Sequence, residues 1–218
     1  MNGVNVPELR AHVADLLAAH PDGILPIVQA GVPVLRAESA QYADQLGDLL
    51  PAFLAAMHAT MMDAPGVGLA APQVGVGLAL AVMWDPGTED DSDTRERVAF
   101  EPRYLFNPSY QPVGDREVTF FEGCLSVEGY QAAVTRPYSV RLQATDERGT
   151  AVDEVLTGWP ARIAQHEIDH LLGTLYVDRA QMRSLCSSEN LSELWSFSSE
   201  PNEAAHTLGF TVAQDNDA

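Results

Sequence analysis

Gln165-His166-Glu167-Ile168-Asp169-His170 is the stretch on which the reading of this chain turns. It is an H-E-x-x-H pattern inside an apolar run with helical spacing. Residues four apart on a helix lie on one face, so His166 and His170 can hold a single metal ion between them. Glu167 follows the first histidine directly, where its carboxylate can reach a water on that metal. Such an arrangement suits a hydrolase that makes its own nucleophile. The plainer alternative is a buried helix that happens to carry two histidines. A third ligand and an oxyanion donor elsewhere in the chain decide between the two.

Working outward, Gly173 supplies a C-terminal stop, so the helix is expected from about Trp159 to Leu172. Upstream, Tyr138 to Thr145 and Ala151 to Leu156 read as strands joined by the turn Asp146-Glu147-Arg148-Gly149. Gly77 to Trp84, Val98 to Phe106 and Glu117 to Phe121 read as further strands. Between the first two of these lies Asp85 to Arg97, whose acidic run Glu89-Asp90-Asp91-Ser92-Asp93 lacks the glycine and terminal glutamate of a calcium loop and reads as a solvated connection. Leu9, Val13, Leu16 and Leu17 predict a short helix ended by Pro21. Leu46 to Met61 predicts a second helix, with Pro51 marking either its start or a kink. After Gln181 the chain turns Ser- and Glu-rich, with one short helix through Leu191, Leu194 and Trp195 and a frayed end at Asp215 to Ala218. Strands first and one buried helix late predict an α+β fold, with antiparallel or mixed β-sheets wrapped around a central H-E-x-x-H helix. The expected division is an N-terminal helical extension at 1–23, a catalytic domain at 24–180 and an acidic, Ser-rich tail at 181–218.

Composition narrows the class. A chain of 218 residues can bury one full core, and 46% hydrophobic with 20% charged residues is globular rather than disordered. No apolar run reaches the length of a membrane span, and the N-terminus lacks a basic flank leading into an apolar segment; a cytoplasmic protein is expected. A net charge of −19 with scattered arginines argues against binding to nucleic acid or to an anionic membrane. Two cysteines do not make a disulfide scaffold, and their settings differ: Cys124 is Gly-flanked and apolar, Cys186 lies among serines.

Two imidazoles leave a divalent metal short of a protein ligand. Cys124, in Glu122-Gly123-Cys124-Leu125-Ser126, is the candidate third, since a thiolate binds iron or zinc strongly. Three protein ligands with an open position characterise catalytic rather than structural sites. A third segment, Gly66-Val67-Gly68-Leu69-Ala70-Ala71-Pro72-Gln73-Val74-Gly75, has small residues against which a ligand could lie, and the Gln73 amide could donate to a developing oxyanion.

In combination these three segments resemble the peptide deformylase family, which is marked in order by G-x-G-x-A-A-x-Q, E-G-C-x-S and Q-H-E-x-D-H. All three stand intact here as Gly66 to Gln73, Glu122 to Ser126 and Gln165 to His170, and the likeness spans about Ile24 to Arg179. The resemblance implies an enzyme that removes the formyl group from the N-terminal formyl-methionine of nascent chains. Cys124, His166 and His170 would hold one divalent metal, Fe(II) by the family's habit, with Zn(II), Ni(II) or Co(II) also compatible. Water would take the open position. Glu167 would act as general base and then general acid, and Gln73 with the backbone N–H of Leu125 would stabilise the oxyanion. The backbone at Val67 and Gly68 would pair with an extended formyl-methionyl peptide, and Ile163 or Leu156 would line the methionine pocket. Glu122 and Arg136 match positions that support the metal segment and are predicted to form an ion pair. A monomer is expected.

Three departures from the pattern stand out. Many family members have arginine where this chain has Gln131. Arg162, four residues before His166, is expected either at the pocket mouth or as a surface arginine. From Glu189 onward the tail has no lysine or arginine, unlike members with a basic C-terminal helix. Two other readings remain open at this point: an H-E-x-x-H metallopeptidase, for which His206 would be the one downstream histidine ligand, and a non-catalytic or repurposed deformylase-like protein.

Overall fold

The helix α3 (Gly158–Leu171) is the element around which the others are laid, and eleven of its fourteen residues are buried. The computed structural model describes residues 5–213, so the expected fraying at Asp215 to Ala218 lies outside the described residues. The elements in order are α1 (Val6–Ala19), α2 (Leu50–Asp63), β1 (Gly68–Ala70), β2 (Leu80–Asp85), β3 (Phe100–Pro112), β4 (Glu117–Cys124), β5 (Val127–Pro137), β6 (Ser139–Thr145), β7 (Ala151–Thr157), α3, β8 (Cys186–Ser187), α4 (Ser188–Asn190) running into a π-helical turn (Leu191–Trp195), and α5 (Asn202–Leu208). One sheet has five strands in the order β1-β2-β3-β6-β7, the other three in the order β4-β5-β8, and every strand pair is antiparallel.

α3 packs on the five-stranded sheet through Ile163, Ala164 and Ile168, which meet Met83, Leu105 and Leu142. Its other side is tied to the three-stranded sheet by hydrogen bonds: Arg162 to the carbonyls of Val134 and Val118, and Gln165 to that of Pro137, which ends β5. A second core lies between α2, β1 and β2 around Phe53, Met57, Met61, Leu69 and Val82. Val13 of α1 is fully buried in that same core, and Arg10 bonds to the carbonyl of Leu46 and to Asp48.

The expected α+β architecture, antiparallel sheets around the H-E-x-x-H helix, is the one observed. Pro51 sits in the first turn of α2, where its missing N–H has no partner to lose, so it starts the helix rather than kinking it. Gly173 takes φ +73° just past α3, with its would-be Cβ only 2.8 Å from the backbone of Arg36.

Several elements extend beyond the sequence reading. β3 continues past Phe106 to Pro112, and its register shifts between Phe106 and Ser109, around Pro108. β4 runs on to Cys124, and β5, unread in the sequence, pairs with it along most of its length. Beyond the π-helical turn, α5 packs Ala204, Ala205 and then Phe210 against Ala133, with Phe210 edge-on to Phe121 at 6.4 Å. Among the described residues, no helix is long and apolar enough to cross a membrane.

Candidate active site

Three chain segments converge on one end of α3. β4 delivers Glu122 and Cys124, the segment after β1 delivers Gln73, and α3 delivers His166, Glu167 and His170. The ligand atoms of Cys124, His166 and His170 all lie within 4.8 Å of one another, and Cys124 Sγ is 3.2 Å from His170 Nε2. Both cysteines are free thiols. A soft thiolate with two imidazoles is a donor set that fits a first-row divalent metal.

The surroundings fix those donors. His166 Nδ1 is 3.0 Å from Glu122 Oε2, which assigns its proton to that nitrogen and leaves Nε2 as the free lone pair. Tyr176 stacks on the His166 ring at 6.3 Å and donates its hydroxyl to the carbonyl of Tyr130. Gln73 accepts from the Ala70 N–H at 2.8 Å through its carbonyl oxygen, so its NH2 faces the site, 3.6 Å from Cys124 Sγ. The Ser126 N–H points at the same sulfur at 3.4 Å.

Glu122 and Arg136 form the predicted pair, a bidentate one buried on both sides: Nε to Oε1 at 2.6 Å and Nη2 to Oε2 at 2.9 Å. Arg162 lines the cleft, which overturns the surface alternative. It is neither at the surface nor snorkelling but 3% exposed, with Nη1 2.5 Å from Glu122 Oε1. Burial presses it down to about 10 against the pull of Glu122, so it keeps its charge at neutral pH. Burial also works to raise Glu122, but Arg136, the hydrogen bond from His166 and Arg162 outweigh it and hold the carboxyl well below its usual range.

Asp169 was not singled out in the sequence, although it sits inside the opening hexapeptide. It accepts from Arg136 at 2.7 Å, from Arg179 at 2.7 and 2.8 Å, and from the Tyr110 hydroxyl at 3.2 Å. The available signal was a surplus of cations: Arg136 and Arg179 both need carboxylates, and Asp169 is the acidic residue of α3 not committed to the metal side.

Glu167 is buried at 4% exposure, and its Oε2 has no hydrogen-bond partner among the described residues. Burial pushes it up to about 7, and the opposing pull of His166 and Arg136 does not cancel that rise. Gly68 lies directly against it; a Cβ there would stand 2.6 Å from the Glu167 carboxyl carbon. His170 Nδ1 is likewise buried without a partner among the described residues.

These groups open into a cleft of about 400 Å³ lined by Val67, Gly68, Gln73, Leu125, Ile163 and Glu167, among others. Gln131 also lines it and reaches Ser188 Oγ at 3.5 Å. Leu156 packs in the core cluster behind Ile163 and is not among the lining residues.

An α+β fold with a Cys-His-His donor set, a buried unpartnered glutamate and an amide donor on one cleft defines a metal-dependent hydrolase. A family model for polypeptide deformylase matches residues 24–185. The chain is 55% identical to peptide deformylase 3 of Streptomyces avermitilis over 207 residues, 94% of this chain and 91% of that protein. It is 55% identical to peptide deformylase 1 of Streptomyces coelicolor, over 94% of each chain. Among solved structures it resembles a Met-Ala-Ser-bound class I type b peptide deformylase from Acinetobacter baumannii, with 31% identity, a TM-score of 0.65 and coverage of 72% of this chain and 98% of that one. The actinonin complex of a peptide deformylase from Synechococcus elongatus matches with 32% identity, a TM-score of 0.62 and coverage of 86% and 87%. The chain belongs to the polypeptide deformylase family.

Proposed function

We propose that Cys124, His166 and His170 hold one divalent metal, and that Glu167 and Gln73 serve at it in removing the formyl group from N-terminal formyl-methionine. The observation that carries this assignment is the meeting of three donor atoms within 4.8 Å beside a buried glutamate oxygen that has no partner among the described residues. The enzyme is a peptide deformylase by its family, and its substrate is a formyl-methionyl peptide. A metal bound by these residues would supply Lewis acidity and bring the pKa of a water from 15.7 toward ~7.

The chain's own groups do the rest. Glu167, poised near 7, can take a proton from the attacking water and return it to the departing amine nitrogen at the same pH. The Gln73 NH2, locked by its bond from Ala70, and the Leu125 N–H are the donors for the tetrahedral oxyanion; one such donor is typically worth ~3–4 kcal/mol of barrier. β1 is the outer strand of its sheet and the Val67 carbonyl is already taken by the Trp84 N–H, so the opposite edge at Val67 and Gly68 is available to an extended peptide. Main-chain pairing of this kind accepts varied sequences, while Ile163 gives the methionine side chain an apolar wall. Glu122 and Arg136 orient the ligands without touching the metal.

Fe(II) is the ion we assign in the cell, with Zn(II), Ni(II) and Co(II) as compatible substitutes. A net charge of −19 supports an enzyme that meets nascent chains without binding nucleic acid or membrane. We assign it to the cytoplasm as a monomer, with 24–180 as the catalytic unit and 1–23 and 181–218 as additions to it. The test is formate release from formyl-Met-Ala-Ser by protein loaded anaerobically with Fe(II) or Ni(II), before and after chelation. Release that stops with metal removal is expected; no release from fully loaded protein would overturn the assignment.

A further inference from the structure

We propose that Arg95, on the loop between β2 and β3, is a specificity-determining residue that closes the outer end of the pocket for the substrate's first side chain and so limits its length. The inference rests on the assignment of the cleft to formyl-methionyl peptides. Trp159, Ile163 and His166 all line that cleft and fall on one face of α3. At 1.5 Å per residue, Trp159 lies roughly 10 Å along the helix from His166. A side chain that enters beside His166 and runs along Ile163 therefore points at Trp159. There the guanidinium of Arg95, itself part of the cleft wall, covers the indole at 5.0 Å from the ring centroid.

The charge on Arg95 is already committed. Its Nε and Nη2 each lie 2.7 Å from one oxygen of Asp93, whose side chain is 4% exposed. A guanidinium neutralised in this way is a poor anchor for an acidic substrate but a good flat plate, with its stem along apolar surface. Its position is held from several directions. Thr94 bonds through both N–H and hydroxyl to Ser199, Glu96 accepts from the Tyr138 hydroxyl at 2.6 Å, and Arg97 grips the fully buried Asp85. The loop also presses on the start of α3: a Cβ on Gly158 would stand 3.2 Å from the Arg95 carbonyl oxygen and 2.9 Å from Glu96 Cβ. Trp159 Nε1 is buried with no partner among the described residues, so the indole is positioned by packing, of which the Arg95 contact is one side.

The experiment compares kcat/KM for formyl-Met-Ala-Ser with that for the same peptide carrying 2-aminooctanoic acid first, an unbranched side chain two atoms longer. It is run in the wild-type metal-loaded enzyme, in Arg95→Ala and in Asp93→Ala, each first shown to be folded by its thermal unfolding curve. Arg95→Ala should raise the long-to-Met ratio by ~10-fold, chiefly through KM for the longer peptide, the order of discrimination available from a methylene or two in an apolar pocket. Asp93→Ala, which frees the plate without removing it, should raise the ratio less. It also provides the reading should Arg95→Ala fail to fold. A ratio unchanged in both variants overturns the role of Arg95. Absence of formate from formyl-Met-Ala-Ser in the wild type would instead overturn the assignment of the cleft, so the two failures are distinct.

Discussion

Glu122 and Glu167 are both buried carboxylates at the same end of α3, yet they are driven in opposite directions. Glu122 meets Arg136, Arg162 and His166 and stays ionised well below its usual range. Glu167 faces Gly68, keeps one oxygen unpartnered and rises to about 7. Burial is the common factor, so it cannot be what separates them; the number of cationic donors reaching each carboxylate is. The first is a fixed charge that holds the His166 ring, and the second is a group able to exchange a proton near neutrality.

The contrast can be broken at each side. The largest effect is expected from Glu167→Gln, which keeps the shape and loses the proton acceptor: kcat should fall by ~10²–10⁴-fold with metal content unchanged by elemental analysis. Activity within a few-fold of wild type would remove Glu167 from its role. Arg136→Met strips Glu122 of its bidentate partner and moves it toward the condition of Glu167. Breaking a buried pair by removing one member typically costs ~3–5 kcal/mol, to be read by chemical denaturation of the metal-free protein. A change near zero would mean that Arg162 alone suffices. Gly68→Ala displaces the Glu167 carboxylate instead of changing its chemistry, and a displacement of about 1 Å can cost ~10²-fold in kcat. Gly77→Ala is the control, since a Cβ there meets nothing closer than 3.8 Å. Equal behaviour of the two would show that the Glu167 position is not set by Gly68.

The helix and its chemistry were legible because they are local: periodicity, a glycine stop and three short segments of fixed spacing carry them. The start of α2 at Pro51 follows from the same rules. β5 was not legible because its outer half, Glu128 to Tyr130, is exposed and its inner half, Ala132 to Val134, is buried without a break, so no alternation marks it. Prolines at 108 and 112 fall in the half of β3 that the sequence reading omits; Pro102 lies where the strand pairs with β2 alone, and Pro108 lies at the register shift. The bonding of Arg162 was not legible because spacing assigns a residue to a helical face but not to the partner beyond it. Its partner Glu122 is 40 residues away in sequence.

The bonds that tie α3 to β4 and β5 also set an order on the protein's own synthesis. A growing chain that stops short of Gly158 possesses Cys124, Glu122 and Arg136 but neither imidazole, and Glu122 then lacks two of its three hydrogen-bonding side-chain neighbours. The meeting of Cys124 with the two imidazoles and the long-range closure of the two sheets thus become one late event, dependent on residues far apart along the ribbon. Until that closure, the growing chain carries one arm of the site and none of the means to use it.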